Sequence, residues 1–141
     1  MMRKYGRPSV PRTENTYSRC KRGKRADLGG QFFRSSWEAN YARYLNWLVG
    51  NGQIVTWKYE PKTFFFEGVR RGTLSYTPDF VVVENNGAVI YHEVKGWMDA
   101  KSKTRLSRMK KYFPEETVIV IAKREYMSIA NKIGSIIPGW E

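Results

Sequence analysis

The chain has 141 residues, a net charge of +12 and an aromatic content of 15%. That length suits one domain with a modest core, and a small, basic, aromatic-rich protein most often binds a polyanion, usually nucleic acid. The single cysteine, Cys20, excludes an internal disulfide framework and a cysteine zinc site, and it fits a reducing compartment. No signal-peptide or transmembrane run is visible in the sequence, so we expect a cytoplasmic protein.

The first thirty residues are the most basic part of the chain. They carry nine Lys/Arg and two Asp/Glu, a net +7 of the total +12, and almost no aliphatic pattern. The sequence therefore predicts a flexible basic arm over residues 1–30 and a folded domain over residues 31–141. The arm, whose most basic stretch is Lys21–Arg25, is either a solvated tail that improves solubility or a segment that docks on phosphates.

The first clear helix is predicted over Phe32–Gly52. Its apolar residues recur at a spacing of 3.6 and should pack in the core; they are Trp37, Tyr41, Tyr44, Leu45 and Leu48. Ser35 or Ser36 caps the start, and two glycines end the helix. Glu38 matches the last position of a capping box, in which its carboxylate bonds back to the backbone at the helix start. On the helix alone, that structural role is favoured.

Several strands follow the helix. Gln53–Gly68 is predicted as a strand that is interrupted at Pro61, and a hairpin with the turn sequence Asn85-Asn86-Gly87 comes next. A two-residue loop in that hairpin would leave Asp79 and Glu93 on opposite faces. A three-residue loop, with its glycine at positive φ, would pair Asp79 directly with Glu93. We predict the three-residue loop.

The three-residue loop would create an acidic pair with a lysine beside it. The Cβ atoms of Asp79 and Glu93 would lie about 5 Å apart, and Lys95 would share their face. Carboxylates placed in this way repel each other unless a cation joins them. Hard oxygen ligands from Asp79, Glu93 and the Val94 carbonyl suit Mg²⁺, with Mn²⁺ as a substitute.

The rest of the chain predicts a helix, a strand and a last helix. The second helix covers Met98–Pro114 and can be capped by Asp99 or Ser102. Thr117–Ala122 is apolar throughout, a pattern typical of a strand buried in the centre of a sheet. A helix over about Arg124–Ile133 follows. The predicted fold class is α/β, with the element order α-β-β-β-α-β-α.

Three segments together resemble the PD-(D/E)XK nuclease superfamily. They are "SSWEANYA" with Glu38, "YTPDF" with Pro78-Asp79, and "HEVKG" with Glu93-Val94-Lys95. Within the superfamily, "YTPDF", "EVKG" and "YFPEETVIVI" look most like the phage endonuclease I group, which resolves Holliday junctions. The resemblance covers about Phe32–Ala122.

The resemblance implies a restriction-endonuclease-like core, with a central mixed sheet of about four to five strands flanked by helices. It implies a Mg²⁺-dependent endodeoxyribonuclease that is a homodimer and, if phage-encoded, acts in the cytoplasm of a bacterial host cell. The implied catalytic residues are Glu38, Asp79, Glu93 and Lys95, and one or two ions would be held by Asp79, Glu93, Val94 and Glu38. Lys95 would orient or deprotonate the attacking water and balance charge on the phosphate.

Three other residues admit two interpretations each. His92 is the only histidine, faces away from Glu93 by strand alternation, and is expected to be structural. Glu60 is expected to be an ordinary strand-end carboxylate, with a place at the site as the alternative. Trp97 could pack in the core or stack on a base, and it is kept as a candidate for DNA binding.

The other candidates for DNA binding are basic residues of the arm and of the second helix. They are Lys21, Arg22, Lys24, Arg25, Lys101, Lys103, Arg105 and Arg108. Binding alone explains the charge of +12, but bare carboxylates would repel a phosphate polyanion. The leading hypothesis is therefore a metal-dependent DNA endonuclease, which the resemblance indicates to be a Holliday junction resolvase of phage type. A nuclease for nicking, end or recombination cleavage, and a non-catalytic basic nucleic-acid-binding protein, remain open.

Overall fold

A mixed four-stranded sheet and three α-helices form an α/β fold in the computed structural model, which describes residues 21–141. The strands are β1 Gly23–Arg25, β2 Gln31–Phe33, β3 Ile54–Tyr59, β4 Phe64–Phe65, β5 Ser75–Tyr76, β6 Phe80–Glu84, β7 Val89–Lys95 and β8 Thr117–Ala122. The helices are α1 Ser36–Gly50, α2 Ala100–Tyr112 and α3 Lys123–Ile133. Two small two-stranded sheets, β1-β2 and β4-β5, accompany the central sheet. β4 lies within the predicted Gln53–Gly68 strand but pairs with β5 in a separate sheet, and β1, β2 and β5 are additional to the predicted order.

The central sheet has the order β3-β6-β7-β8. Its first three strands are antiparallel, and β8 runs parallel to β7. The prediction that Thr117–Ala122 lies in the centre of the sheet is wrong, because β7 is its only partner among the described strands and Ile119 is 39% exposed. An apolar run identifies a strand, but it does not show whether the strand has a neighbour on both sides or how far its faces are covered.

The β6–β7 hairpin has the predicted three-residue loop. Phe80 pairs with His92 and Val83 with Val89, so the register places Asp79 opposite Glu93. The Glu84 amide donates to the Ala88 carbonyl at 2.8 Å, which closes the loop over residues 85–87. Gly87 has a φ of +84°, as predicted, and an L-residue with a side chain would be strained there. Asp79 and Glu93 therefore share one face of the sheet.

Helices cover both faces of the sheet. On one face, α1 and α3 pack against Phe80, Val82 and Val94, and the predicted apolar stripe of α1 lies in or against this core. On the other face, α2 and the β4–β5 hairpin enclose a second cluster that includes Tyr91 and Met109. Strand alternation puts Asp79 and Glu93 on this second face, beyond the end of the apolar cluster.

The helix starts follow the predicted caps. Ser35 is the N-cap of α1, where its hydroxyl accepts from the Glu38 amide at 3.1 Å. Asp99 is the N-cap of α2 and accepts from the Ser102 amide at 2.7 Å. Helix α1 begins later than predicted because Phe32 and Phe33 belong to β2. These caps fix where the first turn of α1, and with it Glu38, meets the sheet.

The predicted flexible arm does not extend through residues 23–30. β1 pairs with β2, and the turn between them places Leu28 against the first core. The Arg25 guanidinium donates to both carboxylate oxygens of Glu141 at 2.9 and 2.8 Å. Arg25 is therefore held by an acid, whereas Lys21, Arg22 and Lys24 are exposed. The remainder of the predicted arm, residues 1–20, lies outside the described residues.

Arg43 ties this segment to α1. Its side chain is 5% exposed, and its guanidinium donates to Asp27 at 2.7 and 3.0 Å, to Glu141 at 3.1 Å and to the Asn40 side chain at 2.9 Å. A buried guanidinium depends on such hydrogen bonds, because water cannot reach it to take their place. Arg43 therefore joins the turn after β1 to the body of the domain.

We expect Arg43→Met to lower the free energy of unfolding by about 2 kcal/mol. The figure is below that for a fully buried ion pair because Asp27 and Glu141 are partly exposed and can turn to water. Urea unfolding followed by circular dichroism measures the change. Arg71→Met, at an exposed position, is the matched control, and equal stability of the two variants would contradict this role for Arg43.

Candidate active site

A cavity of about 380 Å³ opens where the start of α1 meets the ends of β6 and β7. It brings together the four predicted catalytic residues and Val94. Its lining consists of Arg34, Glu38, Ser75, Thr77, Asp79, Glu93, Val94, Lys95 and Arg105. The lining is therefore dominated by charged side chains, with acids at the buried end and three cations around them.

The two acids of the hairpin are buried and held in fixed positions. Asp79 is 3% exposed, and its Oδ2 accepts from the Val94 backbone N–H at 2.8 Å. Glu93 is 8% exposed, and its Oε2 accepts from the Tyr76 hydroxyl at 2.7 Å. Each carboxylate keeps a second oxygen for another partner, so both remain able to bind a cation.

Burial and mutual repulsion act on the pKa values of these acids. Burial, and then the charges of Glu93 and Glu38, raise the pKa of Asp79 to about 8. Burial also raises the pKa of Glu93, against the hydrogen bond from Tyr76 and the charge of Lys95, which lower it. A cation placed between these acids would oppose both shifts, because it stabilises the ionised forms.

These shifts predict a pH dependence of stability. In EDTA, the free energy of unfolding should fall by on the order of 1 kcal/mol from pH 6.5 to pH 8. Folded Asp79 keeps its proton up to its raised pKa, whereas the unfolded chain has already lost it, so rising pH favours unfolding. His92 offsets this loss only in part: its folded pKa is lowered to about 4 from an ordinary 6.5, so most of its opposite effect on stability lies below pH 6.5.

Urea titrations at the two pH values measure this loss. Asp79→Asn should show a clearly smaller loss, since an amide does not titrate. An unchanged loss in Asp79→Asn would mean that another group is responsible.

Glu38 uses only half of the predicted capping box. Its backbone amide donates to Ser35, as a cap requires, but its carboxylate points toward the cavity. Oε2 accepts from the Tyr59 hydroxyl at 2.6 Å, and the Arg34 amide lies 3.4 Å from the same oxygen. The side chain is 12% exposed. Glu38 can therefore take part in the cap and in the site at once, because the cap uses its backbone amide and the site uses its carboxylate.

Arg34 is the principal site residue that the sequence did not single out. Its guanidinium lies 2.8 Å from Glu60, 3.2 Å from Asp79 and 3.8 Å from Glu38. The position, four residues before Glu38 and next to the helix cap, was the only signal in the sequence that could have indicated it. Arg34 thus links Glu60 to the other acids. This contact favours the alternative interpretation of Glu60, a place at the site, over that of an ordinary strand-end carboxylate.

Two tyrosines were also missed. Tyr59 at the end of β3 and Tyr76 at the end of β5 each donate to one of the acids. Strand periodicity places such residues inside or outside, but it does not show which carboxylate a hydroxyl will reach. Their bonds orient Glu38 and Glu93 toward the cavity.

Two predicted cations reach the cavity. Lys95 is half-buried in the wall beside Glu93. Arg105, from α2, lines the same wall, and within residues 21–141 its buried Nε has no hydrogen-bond partner. A guanidinium in the wall of a polar cavity is suited to an incoming anion.

The other predicted DNA contacts lie away from the lining. Trp97 is 78% exposed, so it does not pack in the core. Lys101 and Lys103 are exposed on α2, and Arg108 donates to the Thr73 carbonyl in the loop between β4 and β5. Their role on DNA stays a prediction.

His92 is structural, as predicted. It is 8% exposed, and its Nδ1 lies 2.7 Å from the Tyr41 hydroxyl, on the face of the sheet opposite Asp79 and Glu93. Burial lowers the pKa of its imidazole to about 4, so the ring is neutral at ordinary pH.

The donor set fits a hard divalent cation. Asp79 and Glu93 offer carboxylate oxygens in a polar cavity, and a cation between them would stabilise their ionised forms against burial and mutual repulsion. Among residues 21–141, no group of three or more His, Cys, Asp or Glu side chains has the spacing of a cage made by protein alone. Mg²⁺ does not need one, because it is usually held by one or two carboxylates together with waters and substrate phosphates.

Comparison with known proteins adds no family: no protein-family model and no curated protein matches the chain. Among residues 21–141, no helix is both long and apolar enough to span a bilayer.

Proposed function

We propose that the protein is a metal-dependent DNA endonuclease with a restriction-endonuclease-like core. The observation that carries the proposal is the cavity, in which Glu38, Asp79, Glu93 and Lys95 meet in a chain of net charge +12. A protein that only bound phosphates would have no use for three buried acids at the place where an anion would enter. The preferred substrate is branched DNA, as for a Holliday junction resolvase of phage type.

The proposed chemistry is hydrolysis of a phosphodiester. Water attacks phosphorus, the bond from phosphorus to one sugar oxygen breaks, and a proton passes to that oxygen, which leaves a phosphate end and a hydroxyl end. Asp79 and Glu93, with the Val94 carbonyl and Glu38, would hold Mg²⁺ or Mn²⁺. Such an ion supplies Lewis-acid stabilisation of phosphate oxygens and lowers the pKa of a water.

The chain's own cations have separate tasks in this proposal. Lys95 stands beside Glu93, where its ammonium can orient the attacking water or take a proton from it. The Arg105 guanidinium, which lines the same cavity, can donate to a nonbridging phosphate oxygen from the α2 side. Together they would neutralise the charge that develops on the phosphate.

Incubation with supercoiled plasmid tests the proposal. We expect nicking or linearisation in Mg²⁺ and none after chelation. A panel of four-way junction, flap, nicked and linear DNA with excess competitor then ranks the substrates. Binding to every substrate without cleavage of any would contradict the proposal.

A non-catalytic nucleic-acid-binding protein is the second candidate. The ion pairs of Arg34 favour it, because they already provide Asp79 and Glu60 with a positive partner. In that case the acids would be a closed structural network, and chelation would change nothing. A nuclease with another role, such as nicking, end or recombination cleavage, would be separated from a resolvase by the substrate panel.

The proposed homodimer would cut two strands in symmetric positions. Phe65 is 68% exposed on the outer face of the β4–β5 hairpin, while Phe64 and Phe66 are buried, so this hairpin presents apolar surface. Sedimentation of the full chain measures the oligomeric state, and a monomer that still resolves junctions would contradict the proposed dimer.

Removing residues 1–20 should weaken DNA binding through charge alone. That segment carries five Lys/Arg, and each phosphate contact contributes about 0.9 to the slope of log K against log salt on duplex DNA. We expect a flatter slope, with cleavage at saturating enzyme much less affected. A truncated protein with an unchanged slope would count against any DNA contact by this segment.

A further inference from the structure

We infer that Arg34 is a displaceable counter-ion: it holds the acids in the metal-free protein and passes to a DNA phosphate when a metal ion takes its place. The inference rests on the proposed function and adds a coupling between metal binding and DNA binding through one side chain.

The geometry identifies Arg34 as the cation of the metal-free site. A single guanidinium contacts an acid from each of three elements, Glu60 after β3, Asp79 before β6 and Glu38 on α1. Its closest approach to Asp79 is at Oδ1, the oxygen that the Val94 amide leaves free. That oxygen is also the one a metal ion would use. Arg34 and a metal ion therefore compete for the same ligand atom.

The burial of the partners shows which side of this contact can move. The Arg34 side chain is 49% exposed, whereas the side chains of Asp79 and Glu38 are 4% and 12% exposed. Arg34 follows β2 and precedes the cap of α1, so its backbone is fixed at both ends while the long side chain reaches in from solvent. The guanidinium can therefore leave the acids without any change in the sheet or the helix.

Electrostatics requires that it leave. A divalent ion on Asp79 and a guanidinium on the same carboxylate would repel each other across a few ångströms, in a site largely shielded from water. The released guanidinium stays at the mouth of the cavity, close to Arg105 and Lys95, where a phosphate would arrive. A planar fork of N–H donors can bind a phosphate at two oxygens.

Linkage then makes the two binding events cooperative. A phosphate that draws Arg34 away from Asp79 frees a metal ligand, and a metal ion that displaces Arg34 frees a phosphate ligand. Without DNA, Arg34 lowers the affinity of the site for metal. The site would thus be completed on its substrate rather than before it.

Removing Arg34 should raise the affinity for Mn²⁺ and lower the rate of DNA cleavage, and these opposite changes test its role. With no DNA present, calorimetry should show Arg34→Gln binding Mn²⁺ about 10-fold more tightly than the wild type, within the range of such couplings, because the competitor is gone. In saturating Mg²⁺, the same variant should cut plasmid at least about 10-fold more slowly, because the phosphate ligand is gone. A merely structural arginine would lower both quantities together.

A control removes the same charge elsewhere. Lys132 is exposed and lies in the last turn of α3, nine residues after the start of that helix. Lys132→Gln should leave both the Mn²⁺ affinity and the cleavage rate within about twofold of the wild type. Arg34→Lys keeps the charge but loses the planar guanidinium donors, so it should bind Mn²⁺ a few-fold more tightly and cut DNA more slowly. This variant replaces Arg34→Gln in both measurements if Arg34→Gln does not fold. If the wild type binds Mn²⁺ and the Arg34 variants bind it with equal or lower affinity, the inference is overturned and the proposed function is unaffected. No Mn²⁺ binding by any of them would overturn both.

Discussion

Asp79→Asn and Glu93→Gln are each expected to abolish DNA cleavage while DNA binding holds or tightens. Both side chains are buried in the cavity and offer the carboxylate oxygens that a divalent ion would need. Loss of one such electrostatic element costs on the order of 10²-fold or more in rate. Binding survives because the basic contacts remain and one charge that repels phosphate has gone. Plasmid cleavage and a fluorescence titration with duplex DNA in EDTA measure the two quantities.

Both variants should also be folded, which separates lost chemistry from lost structure. Each amide keeps one oxygen for the bond from Val94 or Tyr76, and the repulsion between buried acids is reduced. We therefore expect thermal melts in EDTA at or above the wild-type temperature. Glu84→Gln, at the turn end of the same hairpin, is the control and should cut normally. Folded variants of Asp79 and Glu93 with near-wild-type cleavage would exclude the proposed catalytic role.

The register of one hairpin accounts for most of what the sequence predicted at the site. A loop of three residues, with Gly87 at positive φ, puts Asp79 opposite Glu93 and Lys95 on their face. Side chains alternate along a strand, so a change of one residue in the loop would have reversed this result. The turn sequence and the β-branched runs were local features, and local features can be read without knowing the rest of the fold.

The features that the sequence missed depend on contacts between distant segments. Arg34 meets Glu60 and Asp79 only because the loop after β2, the end of β3 and the start of β6 converge. Tyr76 reaches Glu93 because β5 leaves the central sheet and pairs with β4 instead. The ordered segment around Arg25 is stabilised by Glu141, which lies at the other end of the described residues. No periodicity encodes such pairings.

Glu60 illustrates how the site constrains the backbone as well. It is the only non-glycine residue with a positive φ among those described, at 45°. Its amide donates to the Asp79 carbonyl at 2.7 Å, and its carboxylate pairs with Arg34. A conformation that costs on the order of 1 kcal/mol is retained where neighbouring bonds hold it. Strain at this point is consistent with a site that positions acids at the expense of local stability.

Lys95→Ala should lose cleavage to a similar extent, about 10²-fold, while metal binding by the free protein is largely kept. Lys95 is the last residue of β7, two positions after Glu93. Its positive charge acts on the Glu93 carboxylate, but Lys95 offers no oxygen ligand to a metal ion. Its removal takes away the group proposed to orient or deprotonate water, and leaves Asp79 and Glu93 in place. Calorimetry with Mn²⁺ and plasmid cleavage in Mg²⁺ give the two values.

The comparison with Asp79→Asn makes the result for Lys95→Ala decisive. Asp79→Asn should lose both metal binding and cleavage, because an amide is a poorer ligand than a carboxylate for a hard cation. Lys95→Ala should lose cleavage alone. If metal binding vanished with Lys95, the lysine would be supporting the positions of the acids rather than acting on water. Cleavage at the wild-type rate in Lys95→Ala would instead remove it from the proposed chemistry, and Arg34 and Arg105 would be left as the cations of the cavity lining that could act on the phosphate.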